Sequence, residues 1–102
     1  MFKWLILEYL RRKGAYDSDH AVSRKELVET LQINPKSLSV IAHRMHVHGW
    51  INAFPKHYNR YYWLGSRAFA FLKKYPDFIN HPYMDPTERA DVPRFLQRLG
   101  IR

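Results

Sequence analysis

The chain has no cysteine and only four glycines among its 102 residues. The first absence excludes disulfide staples and thiolate metal sites, and a reducing compartment is the natural expectation. The glycines are isolated from one another, so there is no glycine-rich loop to cradle a phosphate group. Long apolar runs are missing too. Trp4-Leu5-Ile6-Leu7 is cut by Glu8, which leaves it too short for a secretory core segment or a membrane span. A soluble, cytoplasmic protein is expected. The most telling absence is of acids: after Glu29 no carboxylate occurs until Asp77. No carboxylate pair is evident, and serine, histidine and aspartate occur without a nucleophile-elbow spacing. An enzyme is therefore not expected, and no cofactor is implied.

Basic residues fill the stretch the acids leave. Lys36, Arg44, Lys56, Arg60, Arg67, Lys73 and Lys74 contribute seven positive charges, against +8 for the whole chain, and His43, His46, His48 and His57 lie among them. Such a surface is suited to a polyanion. A pI near 10 by itself also fits a ribosomal protein or a membrane-surface binder. An apolar fraction of 46% with 16% aromatics is enough for a real core. The length suits one domain with a terminal extension.

Phe2, Leu5, Ile6, Tyr9 and Leu10 recur at spacings of three and four, which predicts a helix over 2–13. Trp4, Leu7 and Arg11 lie on its opposite side, a second strip beyond what a simple amphipathic helix needs. Gly14 ends the helix, and 16–20 read as a polar loop. Ser23-Arg24-Lys25-Glu26 matches a capping box, with the hydroxyl on one amide and the carboxylate back on the cap. It precedes a short helix that turns Leu27, Val28 and Leu31 inward, and Gln32-Ile33 make the turn that follows. Asn34 is a strong N-cap and Pro35 suits the first helical position. The helix they start runs to about His48, with Leu38, Ile41, Ala42 and Met45 as its buried stripe. Gly49 is placed to close it in a left-handed conformation. Residues 50–54 and 61–64, separated by Pro55 to Arg60 with Tyr58-Asn59 as the tip, predict a β-hairpin. Ser66 caps a last helix over 67–75, which Pro76 stops. Four of the six prolines follow in the neutral stretch 76–102. There Asp85-Pro86-Thr87-Glu88 reads as a helix start, Phe95, Leu96 and Leu99 as an apolar face, and Gly100 as a terminator.

Helix, short helix, turn, helix, hairpin, helix is the winged helix-turn-helix order. Over about residues 20–75 the chain resembles the winged-helix DNA-binding domains of bacterial transcription regulators, most of all the multiple-antibiotic-resistance (MarR-type) family. The resemblance is carried by Ser23-Arg24-Lys25-Glu26-Leu27, by Leu31 through Ser39 with Asn34-Pro35-Lys36 at its centre, by Arg44-Met45, by Gly49-Trp50-Ile51 and by Tyr62-Trp63-Leu64-Gly65-Ser66. It implies a mainly α fold with a small β-hairpin: a winged helix-turn-helix domain at 1–75, followed by a short Pro-rich helical C-terminal extension at 76–102. The function it implies is sequence-specific binding of double-stranded DNA, by a transcriptional regulator or an accessory factor in replication or recombination.

In domains of this kind the third helix enters the major groove and its N-terminal residues meet base edges. The corresponding positions are Lys36, Ser37, Ser39, Val40 and His43, with Asn34 at the helix start. Lys36 can donate to guanine O6 or N7, the two serines can bond either way, and Val40 can touch a thymine methyl. Arg44 is expected on phosphate. The loop Lys56-His57-Tyr58-Asn59-Arg60 is the expected wing, with Arg60 or Lys56 reaching the minor groove. Four to six basic contacts imply a log–log salt slope of about −4 to −5 per subunit. The plainer alternatives are solvent-exposed serines and a solvated turn.

Other readings compete. His43 and His46, three apart on a helix, invite a metal, but no Cys, carboxylate or HExxH spacing completes a site. Groove-lining or partly buried histidines are the better account, and their charge is expected to tighten DNA binding at acid pH. Trp50, Tyr61, Tyr62 and Trp63 suggest a stacking platform for single strands; packing of the hairpin on the helices explains them as well. One helix-turn-helix unit rarely gives enough affinity alone, so a homodimer is expected, through Trp4, Leu7, Phe95, Leu96 and Leu99. Otherwise the tail folds back on the first helix, or a partner protein docks there. Winged helices also serve as protein-interaction modules or bind structured RNA.

Overall fold

The structure, a computed structural model, describes residues 2–56 and 59–76. Helix α1 (Phe2–Arg12) is followed by a 3-10 turn (Ser18–His20), strand β1 (Val22–Ser23), and helices α2 (Arg24–Leu31) and α3 (Pro35–Val47). Strands β2 (Ile51–Lys56) and β3 (Asn59–Leu64) and helix α4 (Ser66–Lys74) complete it. The described residues are mainly helical, with a small antiparallel sheet in the order β1-β3-β2. Among them, no helix is long and apolar enough to cross a membrane. The expected helix at 85–100 lies outside the described residues, with Phe95, Leu96 and Leu99.

Helix α1 is enclosed on both sides. Leu5, Ile6, Tyr9 and Leu10 are buried as the spacing predicts, but so are Leu7 and Glu8. Of the Trp4-Leu7 strip expected to make a contact, Leu7 is already covered within the chain, which removes it from a dimer surface. Leu7 has no exposed surface within a single chain. Trp4 packs against Trp50 and Phe71, with ring centroids 6.2 and 5.8 Å away. The Glu8 carboxylate is held in the interior by two arginines one turn on: Arg11 and Arg12 donate to its Oε1 at 2.6 and 2.8 Å.

Two glycines end helices by the same device. Gly14 (φ +70) lets the Ala15 amide turn back to the Leu10 carbonyl at 2.9 Å. Gly49 (φ +82) lets the Trp50 amide reach the Met45 carbonyl, also at 2.9 Å. A left-handed residue is what this closure requires. Between α2 and α3 the left-handed residue is Gln32 (φ 54).

Only half of the expected capping box forms. Ser23 Oγ accepts the Glu26 amide at 3.0 Å, but the Glu26 carboxylate accepts from the Tyr9 hydroxyl and lies 3.6 Å from Lys13 Nζ. Burial, and then the bond to Glu26, push the Tyr9 hydroxyl pKa up to about 12. At α4 the N-cap is Gly65 rather than Ser66, with no side-chain cap bond. The Gly65 amide donates to the Trp50 carbonyl at 3.0 Å, and the Arg67 amide to the Gly49 carbonyl at 3.2 Å. That approach is so close that a Cβ on Gly65 would fall 2.4 Å from the Gly49 oxygen.

The hairpin is longer than the sequence suggests. Lys56 pairs with Asn59, and Pro55 with Arg60, so the loop shrinks from 55–60 to 57–58. Lys56, Asn59 and Arg60 are strand residues. The strand tolerates Pro55 because β2 is an edge, where a missing amide interrupts no ladder. Strand β1 was not expected at all; it pairs Val22 with Tyr62 and Ser23 with Tyr61. Alternation sends Ile51, Tyr62 and Leu64 into the core. It leaves Asn52, Phe54, Tyr61 and Trp63 on the outer side.

Candidate nucleic-acid interface

Helix α3 packs against α1 and β2 through Leu38, Ala42 and Met45, which fixes the face it presents outward. At 100° per residue, Lys36, Val40, His43 and Val47 fall on one line opposite that core. All four are exposed, Val40 by 51% and Val47 by 63%. Ser37 and Arg44 flank the line and are exposed as well. Lys36, Ser37, Val40 and Ile41 line an open groove of about 370 Å³. Among the described residues, no side chain pairs with those of Lys36, His43 or Arg44.

The start of α3 is braced. Asn34 Oδ1 accepts the amides of Lys36 and Ser37 at 2.9 and 3.4 Å. Arg24, at the first position of α2, donates to the Pro35 carbonyl and to Ser39 Oγ, both at 3.1 Å. Ser39 Oγ in turn donates to the Pro35 carbonyl at 3.0 Å. Ser39 is therefore half-buried and committed within the fold, unlike Ser37. The expectation of a free Ser39 hydroxyl is corrected, since Arg24 consumes its acceptor side. Arg24 went unnoticed in the sequence as more than part of the cap; no local pattern marks a reach of fifteen residues.

On the hairpin, Arg60 is exposed at the start of β3. Lys56 and Asn59 face each other across the ladder. His57 and Tyr58 lie outside the described residues. The histidines do not converge. His46 Nδ1 sits 3.3 Å from the Ile51 carbonyl, while His43 points outward. No group of three metal-ligating side chains occurs among the described residues. Arg67 belongs to the joint behind α3: it donates to the His48 carbonyl at 3.3 Å and lies 4.6 Å over the Trp50 ring. His20 is exposed and paired with Asp17, which raises the histidine pKa and lowers that of the acid.

The aromatic platform divides differently from the sequence expectation. Trp50 and Tyr62 are core residues, 7% and 1% exposed. Tyr61 and Trp63 face outward with Phe54, a residue the sequence reading did not include.

The described helices, turn and hairpin make a small basic α-plus-sheet unit in which α3 exposes the face opposite its buried stripe. No family model, curated protein or solved structure matches the chain.

Proposed function

We propose that the chain is a winged-helix protein that binds double-stranded DNA at specific sites. It acts by occupying them, as a transcriptional regulator or as an accessory factor in replication or recombination. The observation that carries this reading is the outer line of α3. Lys36, Val40 and His43 stand exposed on a helix whose other side is core, and no carboxylate occurs anywhere in α3, β2, β3 or α4. The major groove of B-DNA admits such a helix. Lys36 donates to guanine, Val40 meets a thymine methyl, and Arg44 takes a phosphate. Arg60, with Lys56 on the neighbouring strand, meets the backbone or a narrow A·T-rich minor groove.

Selection from a random-sequence duplex pool, with sequencing of the tightest-bound fraction, tests this. A motif that is enriched by the native chain and lost in a Lys36→Ala, Arg60→Ala double variant is expected. Unaltered binding by the double variant, or binding without enrichment, would reject the assignment in favour of a protein-interaction module. A palindromic motif would indicate a dimer.

A further inference from the structure

We infer that the outer face of the sheet holds an unpaired nucleobase, so that a duplex with an adjoining single strand binds more tightly than a blunt one. Phe54 of β2 and Tyr61 and Trp63 of β3 share that face, directly or diagonally opposite across the ladder. Phe54 is 55% exposed and the other two are half-buried. With Ser18 and Ala21 they line an open cavity of about 490 Å³. Aromatic rings grouped on a sheet face present π-surfaces that accept any flat ring, which is how sequence-tolerant stacking of single strands works.

Charge decides between a base and an apolar side chain as the occupant. Strands β2 and β3 carry Lys56 and Arg60 and no acid, within a chain of net charge +8. A ring tethered to phosphates is favoured in that field. Asp17 and Asp19 flank Ser18 at the rim, and Asp17 is engaged by the His20 ring at 2.7 Å. Alternation puts Arg60 on the Tyr62 side of β3, opposite the rings. The hairpin thus stands between the arginine and the aromatic face, and a strand leaving a duplex beside it would meet basic residues first and then the rings. The duplex half of this inference rests on the proposed function; the ring site does not.

The test compares a blunt duplex, the same duplex with a short single-stranded overhang, and a short mixed-sequence single strand, each titrated by fluorescence anisotropy. The overhang should tighten binding, and Phe54→Ala should remove that gain, a loss of about tenfold. Blunt-duplex affinity should not change, and Phe54→Trp should restore the gain. The single strand alone should quench Trp63 fluorescence in the native chain and in Phe54→Trp. Equal affinity for blunt and overhung duplex, or a single strand that does not bind, would overturn the inference and leave the duplex reading standing. Single-strand binding through Phe54 without duplex binding would overturn the proposed function and leave the ring site standing. An apolar protein surface as the natural occupant would leave the single strand unbound.

Discussion

Phosphate neutralisation has a measurable signature, and Arg44→Ala isolates it. Three exposed cations without a partner among the described residues belong to α3 and the hairpin: Lys36, Arg44 and Arg60. Arg44 and Arg60 meet phosphate in the proposed complex, and each phosphate contact adds about −0.9 to the slope of log K against log salt, so the two give about −1.8. This is shallower than the slope expected from composition, because Arg67 is engaged behind α3 and Lys36 is placed on a base. Raising salt fourfold should weaken binding about 12-fold in the native chain and about 3.5-fold in Arg44→Ala. The variant should lose affinity for every duplex alike, since a phosphate contact carries no sequence information. Lys36→Ala should instead relax preference at one base position, at about 1–3 kcal/mol. Fluorescence anisotropy at several salt concentrations, on the enriched motif and on a scrambled duplex, reads both effects. An Arg44→Ala slope equal to the native one, or a change confined to the motif, would refute the placement of Arg44 on phosphate.

Three further predictions concern what holds this face in place. Gly65→Ala should cost about 2–4 kcal/mol in urea unfolding, since its Cβ would overlap the Gly49 carbonyl and break the backbone bonds at that joint. Gly14→Ala, with a φ of +70 and open space around it, should cost only about 1–2 kcal/mol, and the reverse ranking would refute the steric account. Tyr62→Phe should leave stability unchanged or raise it by about 1 kcal/mol, because the buried Tyr62 hydroxyl has no hydrogen-bond partner among the described residues; a clear drop in melting temperature would mean that the hydroxyl is satisfied. Tyr9 titrates at about 12 in the folded chain against 10.0 for a free tyrosine. Its folded pKa is the higher one, so the stability it contributes is intact below pH 10 and is lost as pH rises towards 12. Thermal melts across that window should fall more steeply for the native chain than for Tyr9→Phe.

What the sequence made legible was local. Asn34-Pro35, Gly14 and Gly49 mark helix ends because capping is decided within a few residues, and each stands where the pattern puts it. Leu38, Ala42 and Met45 of the α3 stripe were legible for the same reason, through their period, while Ile41, expected with them, is half-buried at the groove. Tertiary context supplied the rest. Strand β1 spans two residues, too few to show alternation, and exists only because β3 offers it an edge. Pro55 argued for a loop, and the edge position of β2 overruled it. The sequence leaves open whether the chain itself or a partner covers Leu7, because one helix cannot reveal what lies against its second side; Leu7 is buried within the single chain. The division of the aromatics depended on register: a shift of one residue would have exchanged Tyr62 for Tyr61 in the core.

The bracing of α3 separates two kinds of residue at the interface. Its backbone is fixed at the N-terminus by the Asn34 cap and by Arg24 across to Pro35 and Ser39. At its other end the Gly49-Trp50 turn is gripped by the start of α4. A helix held in this way loses little freedom on entering a groove, which favours a fixed register over adaptation. The long side chains it carries are not held. Lys36 and Arg44 surrender rotamer freedom worth about 1.5–2 kcal/mol each when ordered. Surface ion pairs in high dielectric return little more than that, so net affinity from these side chains comes chiefly from released counterions and is sensitive to salt. Short, stiff groups on the same line, Val40 above all, carry no such entropic loss. In the proposed complex, sequence preference therefore rests on the rigid helix, on Val40 and on the Lys36 contact to a base, and strength of binding on the cations that meet phosphate.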